Sequence, residues 1–228
     1  MRAAAALLAE GGREAVSTRA IAAAAGVQAP TIYRLFGDMN GLLDAVAGFG
    51  FSTYLSEKTA REIMEDPVED LRRGWDLHVG FGLANPAFYK LMYEDPRPGT
   101  EHTAAREAVG ILHGLVSRVA EAGRLCVGVE HAVRMIHAAG MGVTLALIGT
   151  EAGERDPALS EATRETVLGA ITTEAHAASV KRRDTPRSDA TRHAVALKAF
   201  LLQDVRPFTA AERALLGEWL TRFIDTKP

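Results

Sequence analysis

Residues Ser17–Asp38 read STRAIAAAAGVQAPTIYRLFGD, and their local chemistry predicts a helix, a tight turn and a second helix. Ser17 and Thr18 each carry a hydroxyl that accepts from an unpaired amide, so either can cap a helix opening near Arg19. That helix runs through Ile21 and a row of alanines to Ala25, which leaves little bulk on any face and lets another helix come close. Gly26 stands where a chain leaving a helix needs positive φ. Pro30 has no amide hydrogen to lose in a first helical turn, so a second helix opens near Ala29 or Pro30. Ile32 and Phe36 fall on one side of it, and Thr31, Tyr33 and Arg34 on another. Ala22, Gly26 and Ile32 then serve as close-packing residue, turn residue and core anchor of a helix-turn-helix. An ordinary helical hairpin is the competing reading.

Extended on both sides, the pattern resembles the DNA-binding domain of the TetR family of transcriptional regulators. The resemblance runs in order through AVSTRAIAAAAGV (Ala15–Val27), PTIYRLFGD (Pro30–Asp38) and GLLDAV (Gly41–Val46). It implies a DNA-binding head over residues 1–47 and a helical ligand-binding and dimerisation body over 48–228. The fold class expected is all-α, a three-helix head on a larger helical body. The resemblance further implies a homodimer on a palindromic double-stranded operator, most often as a repressor, released by a small-molecule effector. Each head lays the helix from Ala29 to Phe36, with Ala29 and Pro30 in its first turn, into a major groove. Thr31 and Tyr33 match family positions that touch phosphates or base edges, and Thr18 and Arg19 match contacts at the start of the preceding helix. Gln28 and Arg34 lie at variable positions and can read bases, glutamine favouring adenine and arginine guanine.

Three departures weaken the expected grip. Leu35 stands where the family often has histidine, and Met39 where it often has lysine. Of the basic arm that usually precedes the first helix only Arg2 remains, so either the true start lies upstream or the protein does without arm contacts. From Met1 to Gly48, Arg2, Arg13, Arg19 and Arg34 balance Glu10, Glu14, Asp38 and Asp44, and the whole chain carries a formal net charge of −3. Either a dimer gathers its few arginines on one face, or DNA affinity is modest and strongly salt-sensitive.

The remaining sequence predicts helices throughout. Ala3–Ala9 forms a first helix, with Leu7 and Leu8 inward and Gly11-Gly12 as its stop. Asp38 caps a fourth running toward Tyr54, in which Gly48 and Gly50 mark either a soft connector or close packing against a neighbour. Further helices span roughly 68–85, 87–93, 103–122 and 130–149. The last of these is the most apolar. It reads as a buried helix, too short and too interrupted to span a bilayer, with Gly140 and Gly142 permitting close packing. Ser160 caps a helix reaching about Ala178, and the polar run KRRDTPRSDAT (Lys181–Thr191) is a surface loop or linker. Two more helices lie near 192–203 and 209–224, the second opened by Thr209 and Glu212 as a capping box.

At 228 residues the chain can bury a sizeable core, and its single cysteine, Cys126, excludes an internal disulfide framework. No export pattern completes at the N-terminus, so the expected compartment is the cytoplasm. The body gathers Trp75, His78, Phe81, Phe88, Met92, Leu112, His113, Met135, His137 and Met141 on expected inward faces. Apolar walls with a few polar groups describe an effector pocket; a plain core in which each histidine finds a carbonyl is the alternative. No local chelating pair, nucleophile elbow or phosphate-cradling glycine loop is present, so neither metal, cofactor nor catalytic residue is expected. The alternative in function is a protein of the same fold that binds a ligand or partner and has weak or lost DNA recognition.

Overall fold

Ser17 takes an extended conformation and its Oγ accepts from the Ala20 amide at 3.2 Å, so it and not Thr18 caps the helix that follows. The computed structural model describes residues 1–58, 64–94, 103–156, 158–173, 186–201 and 208–225. Among these lie eleven helices: α1 (Arg2–Ala15), α2 (Thr18–Ala25), α3 (Ala29–Phe36), α4 (Met39–Lys58), α5 (Pro67–Ala84), α6 (Pro86–Tyr93), α7 (Thr103–Glu121), α8 (Val129–Gly149), α9 (Leu159–Ile171), α10 (Pro186–Leu201) and α11 (Ala210–Asp225). The fold is all-α, with a helix-turn-helix head and a helical body. The only pairing of strand type among the described residues is an isolated bridge between Leu125 and Thr172.

Gly26 ends α2 in the left-handed region at φ 65°, as the turn demands. Asp38 Oδ1 accepts from the Gly41 amide at 2.8 Å and caps α4. Ala4, Leu8, Val16, Ile21, Ile32, Leu42, Leu43 and Val46 form the head's core, with Ala87, Phe88 and Leu91 of α6 packed against it. Gly50 is explained by close packing, since a Cβ there would meet Phe88 Cε1 at 2.7 Å.

Contacts between Cα positions divide the chain into two compact units, one comprising 1–63, 77–109 and 144–155 and the other 64–76, 110–143 and 156–228. In the first, Phe81 packs edge-on to Phe51 with ring centroids 5.7 Å apart, and the buried Tyr89 ring lies 4.7 Å from Tyr93. In the second, α5 is pinned by ion pairs. Arg118 pairs with Asp70 and also donates to the Met64 carbonyl, while Arg124 Nη1 reaches Asp66 Oδ1 at 2.6 Å. Arg72 pairs with Glu165 at 3.2 Å, and Arg164 bridges Asp76 and Glu165.

These networks set an acid limit. Burial pushes the Glu165 carboxyl up, yet hydrogen bonds and charge from Arg72 and Arg164 outweigh it and hold the group below its ordinary value. For Asp66 burial is likewise outweighed, here by bonds from the Val68 amide and Arg124. Both pKa values are lower folded than unfolded, so their contribution is present above the unfolded values and is lost as pH falls through the folded ones. Glu165→Gln is expected to cost about 0.5–1 kcal/mol at neutral pH, discounted for exposure, and to flatten the acid limb of the stability–pH curve. Urea unfolding of both proteins across the acid range checks this.

Six expectations are corrected. The first helix does not stop at Gly11-Gly12: Gly12 breaks it at φ 65°, ψ −164°, and helix resumes to Ala15. Ser160 is no cap; the residue before α9 is Ala158, and the Ser160 hydroxyl accepts instead from Trp75 Nε1 at 3.0 Å. That helix ends at Ile171, because Thr172 turns extended and the strand-like segment is tied down by Cys126 N–H donating to Ile171 O at 2.7 Å; residues 174–178 lie outside the described residues. Residues 186–191 of the polar run open α10 at Pro186, and 181–185 lie outside the described residues. Helix α8 has 21 residues and a mean hydropathy of 1.5 in its most apolar stretch, enough to cross a membrane by length and composition, and 39% of that stretch is buried within the protein. Gly142 of α8 is exposed and has nothing within 4 Å of a built Cβ, so close packing does not explain it. The capping box of α11 forms as expected: Glu212 Oε2 accepts from Thr209 N–H at 2.8 Å, and Thr209 Oγ1 accepts from Glu212 N–H at 3.3 Å.

Candidate nucleic-acid interface

Helix α3 is held from beneath and open above. Ile32, 5% exposed, anchors it in the head core, and Phe36 packs partly buried beside it. Tyr33 at 51% and Leu35 at 66% stand in solvent, with Gln28, Pro30 and Arg34 also exposed and Ala29 and Thr31 half-buried. The 3.6-residue period thus sorts core residues from a free polar–aromatic face. Thr18 Oγ1 donates to Tyr33 Oη at 3.3 Å and ties the first turn of α2 to α3; the next residue, Arg19, is exposed. Thr18 and Tyr33 are therefore brought together, while Arg19, Gln28 and Arg34 reach outward separately.

Such a face can meet a duplex with hydroxyl, amide and guanidinium donors, the groups that contact phosphate oxygens and base edges. Its weakness is also visible. Leu35, the most exposed large apolar residue of the head, donates to nothing, and Met39 packs against the head core.

The ten residues expected to line an effector pocket are shared between the two units. Unit one holds His78, Phe81, Phe88 and Met92; unit two holds Trp75, Leu112, His113, Met135, His137 and Met141. His78 Nε2 lies 2.7 Å from the Tyr89 hydroxyl, and the rings meet edge to face at 5.4 Å. Phe81 and Met92 are buried, whereas Phe88 turns to Gly50 and the head core. Trp75 is spent on Ser160, and His113 Nδ1 lies 3.4 Å from the Ser117 hydroxyl on its own helix. Leu112, Met135, His137 and Met141 are half-buried.

Sequence reasoning missed the polar centre around His78. Tyr89 and Thr144 are fully buried and hydrogen-bonded to each other. Burial, opposed by that bond, pushes the Tyr89 hydroxyl above its ordinary value, so it remains a protonated donor. The available signal was the i, i+4 pair Tyr89 and Tyr93, which puts two phenols on one helix face. Among the described residues no group of three or more His, Cys, Asp or Glu side chains is placed to hold a metal ion.

Comparison with known proteins bears on the head and on the fold. Residues 1–46 match the sequence model for bacterial regulatory proteins of the tetR family. No curated protein matches the chain. A solved structure of a candidate tetR family transcription regulator from Shewanella sp. PV-4 is similar to this chain, with 20% identity, a TM-score of 0.58, and coverage of 75% of this chain and 95% of that one. At that identity the likeness shows a shared fold. The head, residues 1–46, is thus similar in sequence to the tetR family of bacterial regulatory proteins, and the chain shares its fold with the solved regulator.

Proposed function

We propose that the protein is a cytoplasmic, homodimeric transcriptional regulator, acting as a repressor, that binds a palindromic operator through α3 and is released by a small, largely apolar effector. Residues 1–47 serve as the DNA-binding head and 48–228 as the effector-binding and dimerisation body, with no catalysis assigned. The observation that carries this reading is the free face of α3: Tyr33 and Arg34 stand exposed above the buried Ile32 in a head of matching family pattern. Thr18, Arg19, Gln28, Ala29, Pro30 and Thr31 complete the contact surface.

Dimerisation is supported by α10 and α11, which pack on each other yet leave Leu197, Phe200, Leu215, Trp219 and Phe223 at 42–55% exposed. A two-fold partner would cover such a face and set the spacing of two heads along the duplex. Effector action follows from α6. Its Tyr89 joins His78 and Thr144, while Phe88 and Leu91 pack against the head core. An effector that distinguishes two positions of α6 would move the head, and can lower DNA affinity only by that difference.

Tyr33→Ala and Arg34→Ala are each expected to weaken binding to the intergenic DNA beside the protein's own gene by about 5- to 150-fold, corresponding to roughly 1–3 kcal/mol, with an unchanged thermal midpoint. A mobility-shift titration at fixed salt reads this; unchanged affinity in both variants would remove α3 from the interface. The second reading, a protein of this fold with weak or lost DNA recognition, is favoured by one observation, the exposed Leu35 in a head without net charge. Retention that vanishes at moderate salt for every DNA sequence would support it.

A further inference from the structure

A half-open cleft of about 430 Å³ lies where the break in α1 faces α6 and the end of α8, and none of the ten residues expected to bind effector lines it. Its walls are of two kinds. Pro86, Ala87, Leu91 and Ile148 give an apolar side, and Arg13, Lys90 and Glu94 a charged one. The volume falls in the range of small-molecule sites.

The charged side carries two cations against one anion, and both cations can be recruited. Arg13 donates Nη1 to the Val16 carbonyl at 3.3 Å, a long bond that uses one of five guanidinium donors. Lys90 Nζ meets Glu94 Oε1 at 3.8 Å with both side chains well exposed, a pairing that an incoming carboxylate can displace at little cost. Gly12 contributes no side chain at the cleft, and its φ of 65° turns the chain so that Arg13 joins the lining.

We propose that this cleft binds a small amphiphilic monocarboxylate, its carboxylate between Arg13 and Lys90 and its apolar portion against Leu91 and Ile148. An uncharged apolar molecule would gain nothing from the two cations, and a dianion would meet Glu94. The occupant touches Ala87 and Leu91, which also pack against the head core, so binding is read directly by the residues that seat the head.

The test is calorimetric titration of the full chain with 1-naphthoate, and with 1-naphthalenemethanol as its uncharged counterpart. Saturable binding of the carboxylate is expected, at least about tenfold weaker for the alcohol and for the double variant Arg13→Met with Lys90→Met. Lys90→Arg should restore most of the affinity when Arg13 is intact. Absence of saturable binding, equal affinity for the alcohol, or unchanged affinity in the double variant would overturn the assignment. The variants remove charge from exposed or half-exposed positions, and the readout needs no DNA, so failure of this proposal and failure of the regulator reading are separately visible.

Discussion

Gly82→Val is expected to lower the unfolding free energy by about 1–2.5 kcal/mol, the range for overpacking a filled core less the small gain from removing a helical glycine. A Cβ at Gly82 would sit well inside van der Waals contact with Thr144 Cγ2, 2.9 Å from Tyr89 Cδ2 and 3.2 Å from Tyr89 Cε2. Neither neighbour can retreat toward solvent, because both are fully buried. Nor can Tyr89 rotate freely, since its hydroxyl is engaged by His78 and Thr144. The β-branch adds crowding against the preceding helical turn. Gly82→Ala should cost less, as alanine's helical advantage of about 1 kcal/mol offsets part of the clash. Guanidinium unfolding with an unchanged m-value measures both. A neutral or stabilised Gly82→Val would show that α5, α6 and α8 do not meet as described.

The second large effect concerns association. Leu215, Trp219 and Phe223 recur at i, i+4 and i+8 on α11 and are 46%, 55% and 43% exposed; no residue of α11 is buried. A helix whose stripe is left about half exposed among the described residues is expected to find cover in a second copy. Trp219→Glu combined with Phe223→Glu places two like charges in that contact, which a two-fold axis doubles to four. The variant should sediment as a monomer where the parent sediments as a dimer. Its operator affinity should fall by about 100-fold or more, since two heads on one body bind with an effective concentration that two separate heads lack. Helicity by circular dichroism should stay the same, because Trp219 and Phe223 are among the exposed residues of α11 and neither is buried. A parent that sediments as a monomer, or a variant that still dimerises, would place the interface elsewhere.

What the sequence disclosed follows a physical divide. Ser17, Gly26, Asp38 and the Thr209–Glu212 pair act within four residues of themselves, and each does what its local chemistry demands. Ile32 buried beside an exposed Tyr33 is likewise a matter of helical period alone. Gly12 shows where local rules run out, since a glycine at positive φ either ends a helix or kinks it, and the choice depends on whether later residues such as Val16 find a core to enter. Ser160 is the long-range case: its hydroxyl is claimed by Trp75, 85 residues away in sequence, and no local pattern encodes that. The Tyr89 centre is of the same kind, assembled from α5, α6 and α8 around the space Gly82 leaves. The cleft beside Arg13 was hidden for both reasons, because it needs the kink at Gly12 and the arrival of α6 together.

The exposed face of α3 was legible because exposure follows from helical period alone, while a pocket between helices depends on packing that no local pattern encodes. Leu35 sharpens the point, as its 66% exposure puts an uncharged side chain on the face proposed to meet DNA. The central claim is that this face selects a DNA sequence. Fluorescence anisotropy of the full chain against the intergenic duplex beside its gene, and against a shuffled duplex of the same composition, tests it across a salt series. Preference for the intergenic duplex is expected to persist as salt rises, by at least the roughly thousandfold ratio at the lower bound for specific readers. Equal affinities for the two duplexes, falling together with salt, would contradict it.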